Sequence, residues 1–248
     1  MNINDILTKI EYTKERSAKE LFEFVKQKSK ELSEWNPEHS DAKTRREMKY
    51  KEHGKGLPYK LEYELKPFAY YANSYYGNKP EVRFIPCCGS EQYDGIIVDN
   101  NKKIFTEITD AIDGEKWGLQ KELLIENGWS PWEHNIHGVQ GNKTKRNRSA
   151  SDIITSNELV NHIDLIRATK ELVKKQAHNK CKMSTEQKLP YGKDKTILFV
   201  TFDDTGFSKN DRSDFINFKQ AEIDSMEHNF IKIILFGWDS KKFIPENL

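Results

Sequence analysis

Between Gln92 and Thr109 the chain reads QYDGIIVDNNKKIFTEIT. Two runs rich in Ile, Val, Phe, Tyr and Thr, side chains that fit a pleated surface, flank Asp99-Asn100-Asn101-Lys102. The central residues tolerate turn geometry and bond their own backbone. The stretch therefore predicts a β-hairpin with strands over Tyr93–Val98 and Lys103–Thr109. A symmetric turn over 99–102 fixes the register beyond it, and Asp94 then faces Glu107 on one face of the sheet. Opposed side chains stand roughly 4.5–5.5 Å apart at Cβ, where like charges destabilise. Two acids so placed are either wet at an edge or used to hold a cation.

The remaining elements arrange themselves around this hairpin. Apolar residues at helical spacing among Lys and Glu predict helix over Asn4–Leu32, with Ser17 and Glu20 as a capping box. Asn36–Leu57 is polar and lysine-rich and reads as a linker or exposed lobe. Leu61–Tyr76 reads as a helix closed by Gly77-Asn78, with Pro67 favouring a start near Lys66. Val82–Cys88 reads as a strand ending near Pro86. After the hairpin come a helix over Lys116–Asn127, a loop region over Gly128–Asp152 and a long helix over Ser151–Lys182. Thr196–Phe202 and Phe230–Trp238 are apolar almost throughout and fit central strands covered on both faces. A helix over Phe215–Met226 joins them.

The expected class is α/β: a mixed sheet of about five strands flanked by helices. Residues 1–57 read as an N-terminal helical extension and linker, and 58–248 as the core. A net charge of +1 excludes a global field toward nucleic acid or membrane, so such attraction must be local. Three cysteines, two of them adjacent, give no disulfide framework and suit a reducing cytoplasm. The first residues carry no apolar segment of signal-peptide length, and no run approaches a membrane span.

The order helix, three strands, helix, strand, with Tyr93-Asp94-Gly95 opening the second strand and Glu107-Ile108-Thr109 closing the third, resembles the PD-(D/E)xK superfamily of restriction-endonuclease-like nucleases. That resemblance implies a restriction-endonuclease-like core in which Asp94 and Glu107 hold Mg²⁺ or Mn²⁺. Glu64, Glu91 and the carbonyl of Ile108 are further candidate ligands. In the family a lysine two residues after the glutamate positions the attacking water, and here that place is taken by Thr109. Gln120 or Lys121 from the following helix would then have to serve; Lys103 is about 13 Å along the strand from Glu107. A hard cation held by one or two carboxylates also fits elementary chemistry, since it relieves their repulsion and activates water.

The densest positive run, Lys143, Lys145, Arg146 and Arg148, is a candidate clamp on a phosphate backbone or a solvated loop. His134 and His137 form an HxxH that on a helix could join Cys87 or Cys88 around zinc, but the spacing is non-specific, and Pro131 and Gly138 favour ordinary polar histidines of a loop. The resulting expectation is a metal-dependent nuclease, most specifically a DNA endonuclease. The alternative is a nuclease-fold module without catalysis that binds nucleic acid or a protein partner. A symmetric double-strand cut would require a homodimer, formed through the N-terminal helix or the helix over 151–182.

Overall fold

In the computed structural model the described residues are 3–89, 91–142, 144–186 and 195–244. Their centre is the anticipated hairpin. Strand β3 (Gly95–Asp99) and strand β4 (Lys102–Asp110) pair antiparallel, with Asp99 opposite Lys102 and Gly95 opposite Thr106. That is the register the sequence predicts, carried by a tighter turn. Only Asn100 and Asn101 stand outside the strands, both at positive φ (48° and 66°), the geometry that matches strand twist and that asparagine tolerates. Gly95 is required by close packing: a Cβ there would lie 2.7 Å from the Phe68 ring and 2.9 Å from Thr106 Oγ1.

Among the described residues the main sheet has seven strands in the order β1-β2-β3-β4-β7-β8-β9. Five are the expected ones. Here β2 is Arg83–Pro86, β7 is Thr196–Phe202 and β8 is Lys232–Gly237. The two additions are short edge strands, β1 (Arg16–Ser17) and β9 (Lys242–Ile244). Strands β1 to β4 form an antiparallel meander, whereas β4, β7 and β8 run parallel. All seven residues of β7 are buried, as its apolar run requires.

The sheet is covered on both faces. One face packs against α2 (Ala18–Glu34) and α5 (Lys66–Tyr76), with Leu21, Phe68, Tyr71, Phe84, Phe199 and Phe236 at its centre. The other packs against α7 (His162–Thr185) and α8 (Lys209–Phe218), around Val173, Leu198, Phe202 and Phe215. A satellite cluster joins Leu119 and Leu123 of α6 (Gly114–Asn127) to Ile136 and Ile153. No helix among the described residues is long and apolar enough to cross a membrane.

Several boundaries differ from expectation. The helix expected over Asn4–Leu32 is divided: α1 (Lys9–Thr13) ends before β1, and α2 begins afresh at Ser17. Two capping boxes, Thr8 with Glu11 and Ser17 with Glu20, set these separate starts. The expected linker contains α3 (Ala42–His53), capped by Asp41. Arg46 of α3 donates to the carbonyls of Ile125 and Glu126 at the C-terminal end of α6, at 2.9 and 3.1 Å, so a polar helix is held by another helix's open carbonyls. The N-terminal segment shares the principal core through Leu21, Val25, Leu32 and Trp35.

The helix expected to start at Ser151 starts at His162, capped by Asn161. Residues Ile153–Thr155 instead form β6, paired with β5 (Ile136–Val139) in a two-stranded sheet inside the expected loop region. Burying Ile153 against α6 overrides the weak helical spacing there, and Leu159 is left fully exposed. The helix expected from Phe215 begins at Lys209 behind a Ser208–Asp211 capping box. A short α4 (Gly56–Lys60) runs through a wider turn over Leu61–Leu65 into α5. In that turn the Lys66 N–H reaches the carbonyl of Leu61, five residues back, the signature of a π turn.

Candidate active site at the hairpin

Asp94 stands immediately before β3. Its own N–H donates at 2.8 Å to the carbonyl of Thr106, the residue already paired with Gly95. Its Oδ2 accepts the Ile108 N–H at 2.7 Å. Asp94 is thus tied on either side of Glu107, by its main chain to Thr106 and by its carboxylate to Ile108. Burial, followed by the negative charges of Glu64 and Glu107, pushes the Asp94 carboxyl up to about 7.

Glu107 lies in the middle of β4, paired across with Leu198 of β7, and is 8% exposed. Lys180, near the end of α7, forms an ion pair with its Oε1. Glu64 belongs to the π turn, where Lys60 donates to its Oε2 at 2.9 Å. Burial is the first cause that raises the Glu64 carboxyl, and the charge of Glu107 adds to it. The Glu64 and Asp94 carboxyls lie within hydrogen-bonding reach of one another, an arrangement that needs a proton between them or a cation beside them.

A fourth acid adjoins this group. Asp110, the last residue of β4, bonds the hydroxyl of Thr201 and the side chains of Trp238 and Tyr59. Burial pushes it up to about 6 against those bonds, and Glu64 adds to the rise. Burial likewise raises the Tyr59 and Tyr63 hydroxyls to about 12, with the charge of Asp110 as the next cause. Four carboxyl groups therefore share one end of the hairpin with two lysines, Lys60 and Lys180, and the negative charge is in excess.

The sequence-derived candidates divide. Asp94, Glu107 and Glu64 are brought together, with the Ile108 backbone between the first two. Thr109 is half-buried, two residues along β4 from Glu107, and accepts at its carbonyl from the Thr201 hydroxyl at 3.4 Å. Gln120 donates instead to the Pro131 carbonyl at 3.2 Å. Lys121 lies over the Trp117 ring, 3.1 Å from its centroid. Glu91 accepts the Gly89 N–H at 2.6 Å.

Of the basic run, Lys143 lies outside the described residues. Lys145 and Arg146 are exposed, whereas Arg148 is clamped by both oxygens of Glu122 at 2.7 and 2.9 Å. His137 bonds the Ser156 hydroxyl at 2.9 Å, and the Cys87 thiol faces the Ile85 carbonyl. Among the described residues no three His, Cys, Asp or Glu side chains form a ready-made metal cage.

No family model, curated protein or solved structure matches this chain. The residues around the hairpin therefore carry the functional argument alone.

Lys60, Lys180 and Asp110 were not among the candidates read from the sequence. Lys180 borders the buried stripe Val173, Ala177 and Cys181 of α7, and a lysine flanking an apolar stripe was the signal available. Lys60 and Glu64 are four residues apart on one helical run, the spacing of an ordinary surface pair. Only the tertiary approach to Asp94 gives that pair another meaning.

Proposed function

We propose that the chain is a metal-dependent nuclease acting on phosphodiester bonds, most specifically a DNA endonuclease with a restriction-endonuclease-like core. The observation that carries this reading is the meeting of acids at the end of the hairpin. Asp94 accepts the N–H of Ile108, the neighbour of Glu107, and its carboxyl is raised to about 7 by burial and by Glu64 and Glu107. The order α5, β2, β3, β4, α7 and β7 supports it, because, with α6 and the β5–β6 pair inserted between β4 and α7, it follows the element order of the PD-(D/E)xK resemblance.

The donor set suits a hard cation: carboxylates of Asp94 and Glu107, with the Ile108 carbonyl and Glu64 beside them. When bound, Mg²⁺ or Mn²⁺ would supply charge neutralisation and an acidified water. Lys180 supplies the positive charge that Thr109 cannot, from a helix instead of from the strand. Its ammonium holds the Glu107 carboxylate in place and stands ready to face a phosphate oxygen. Lys60 does the same for Glu64. Exposed Lys145 and Arg146 would meet the nucleic-acid backbone.

The test is plasmid cleavage in Mg²⁺ or Mn²⁺ with an EDTA control. Glu107→Ala should abolish cleavage with an unchanged circular dichroism spectrum. Cleavage retained by that variant would overturn the assignment.

A second reading is favoured by Thr109 and by the engagement of both lysines in ion pairs. In it the chain is a nuclease-fold module that binds nucleic acid or a protein without cutting. Salt-sensitive DNA binding with no cleavage of single- or double-stranded substrates would select it.

A further inference from the structure

A cavity of about 650 Å³ opens beyond the carboxyl ends of the three parallel strands. Ala111 and Ile112 follow β4 into it, Asp203 and Thr205 follow β7, and Trp238 and Asp239 follow β8. Loops at the carboxyl ends of adjacent parallel strands are where open α/β sheets hold ligands, and the volume is within the range of small-molecule sites. The cavity is separate in chemistry from the Glu107–Lys180 pair, which does not line it.

Its walls combine two features. Tyr63, Trp117, Trp132 and Trp238 supply aromatic surface. Tyr63 meets Trp117 edge-on at 6.1 Å and Trp238 at 5.6 Å, so the rings brace one another. The acids are Glu62, Glu133, Asp203 and Asp239. Glu62 is matched by Lys66 at 2.7 Å. Glu133 is half-buried, and burial, then Asp113 and Asp203, raise its carboxyl while Lys116 lowers it. His134 is driven toward its neutral form by burial and by Lys116. With Lys66 set against Glu62 and Lys116 counted, the lining acids Glu133, Asp203 and Asp239 leave the cavity negative. A phosphate is repelled by such a wall, whereas a cation is drawn to both its carboxylates and its ring faces.

We propose that this cavity binds a planar organic cation, an amidinium or guanidinium on an aromatic or alkyl body, with the charge at Glu133 and Asp203 and the body against Trp132 and Trp238. The cation can belong to a free small molecule or to an arginine side chain of a protein partner. The cavity lining includes neither Asp94 nor Glu107, and the cavity meets the hairpin acids through Trp238, which bonds Asp110.

Benzamidine and its neutral isostere benzamide form the probe pair, titrated into the full chain by calorimetry and by saturation-transfer NMR. Benzamidine should bind at millimolar concentration or better and benzamide at least tenfold more weakly. The Glu133→Gln/Asp203→Asn double variant should lose at least tenfold for benzamidine. Trp132 is 58% exposed, so Trp132→Ala will fold, and it should weaken both probes. N-acetyl-arginine amide and an arginine-containing tetrapeptide distinguish the sources. Tighter peptide binding assigns a partner's side chain, and tighter benzamidine binding assigns a free ligand. Equal binding of benzamidine and benzamide, no binding of either, or a double variant that binds benzamidine as well as the parent would overturn the proposal.

Discussion

Lys180 reaches the Glu107 carboxylate across 73 positions of sequence, joining the end of α7 to the middle of the central strand β4. Both side chains are mostly buried, at 21% and 11% exposure, so neither charge can be recovered by water if the other is removed. Lys180→Met should destabilise the protein by about 1–3 kcal/mol in urea titrations at pH 7.5. Adding Glu107→Gln to it should restore part of that loss, because the double variant removes the charge that Lys180 had matched. Equal or greater loss in the double variant would show that the pair is not energetically linked.

The same lysine separates catalysis from architecture. If it neutralises a phosphate oxygen, Lys180→Met should lower kcat for plasmid cleavage by roughly 10²–10³-fold, the usual scale for removing one electrostatic stabiliser. Lys180→Arg, which keeps the charge, should recover much of the rate. A merely structural lysine would give equal rates in the two variants once both are fully folded.

The raised carboxyls predict an unusual slope of stability with pH. An Asp94 carboxyl at about 7 in the folded chain, against an ordinary value near 3.8, binds a proton that the unfolded chain releases. Between about pH 4 and pH 7 the native state therefore holds more protons, and stability falls as pH rises through that window. Asp110, raised to about 6, acts in the same direction. Asp94→Asn retains an acceptor for the Ile108 N–H but carries no charge. It should stabilise the chain by about 1–3 kcal/mol at pH 8 and have little effect at pH 4.5, read from urea midpoints at each pH. A parent whose stability rises from pH 5 to pH 8 would contradict this.

How much of this site can be read from sequence follows from the range of the interactions. The hairpin was legible because its pattern is local: alternation, an Asx-rich turn and strict two-residue periodicity set the register from Asp99–Lys102 to Gly95–Thr106, which brings Asp94 and Glu107 to the same end of the hairpin. The buried strands β7 and β8 were legible for the same reason. The edge strands β1 and β9 were not, since two or three residues carry no periodic signal. The start of α7 was obscured by Ile153 and Ile154, which continue a helical spacing by chance while one of them packs under α6. Lys60, Lys180 and Asp110 were beyond reach because charged residues beside apolar stripes look alike whether they meet water or a distant carboxylate.

Asp204 gives a purely structural counterpart to the acids of the hairpin. It is 2% exposed, and its Oδ1 accepts the N–H groups of Asp239 at 2.8 Å and Ser240 at 3.2 Å, while Arg212 donates to Oδ2 at 2.9 Å. It lies against Gly237, where a Cβ would overlap the carboxylate. Gly237→Ala should therefore cost about 1–3 kcal/mol of stability through overpacking. Asp204→Ala should cost at least as much, because it strands two N–H groups and a mostly buried guanidinium.

Metal binding provides the sharpest reading of the hairpin acids. A cation that binds only the folded chain stabilises it in proportion to the logarithm of its concentration over Kd. With Kd near 1 mM, about 10 mM Mg²⁺ would add about 1.4 kcal/mol, or a Tm rise of about 3–6 °C for a chain of this size. The effect should be full at pH 8, where Asp94 is ionised, and small at pH 5, where it is protonated. Glu107→Gln should cancel it, and Asp203→Asn, in the separate acidic cavity, should leave it intact. A Mg²⁺ response that survives Glu107→Gln but is lost with Asp203→Asn would move the cation from the hairpin to the cavity beyond β7 and β8, and with it the case for cleavage at Asp94.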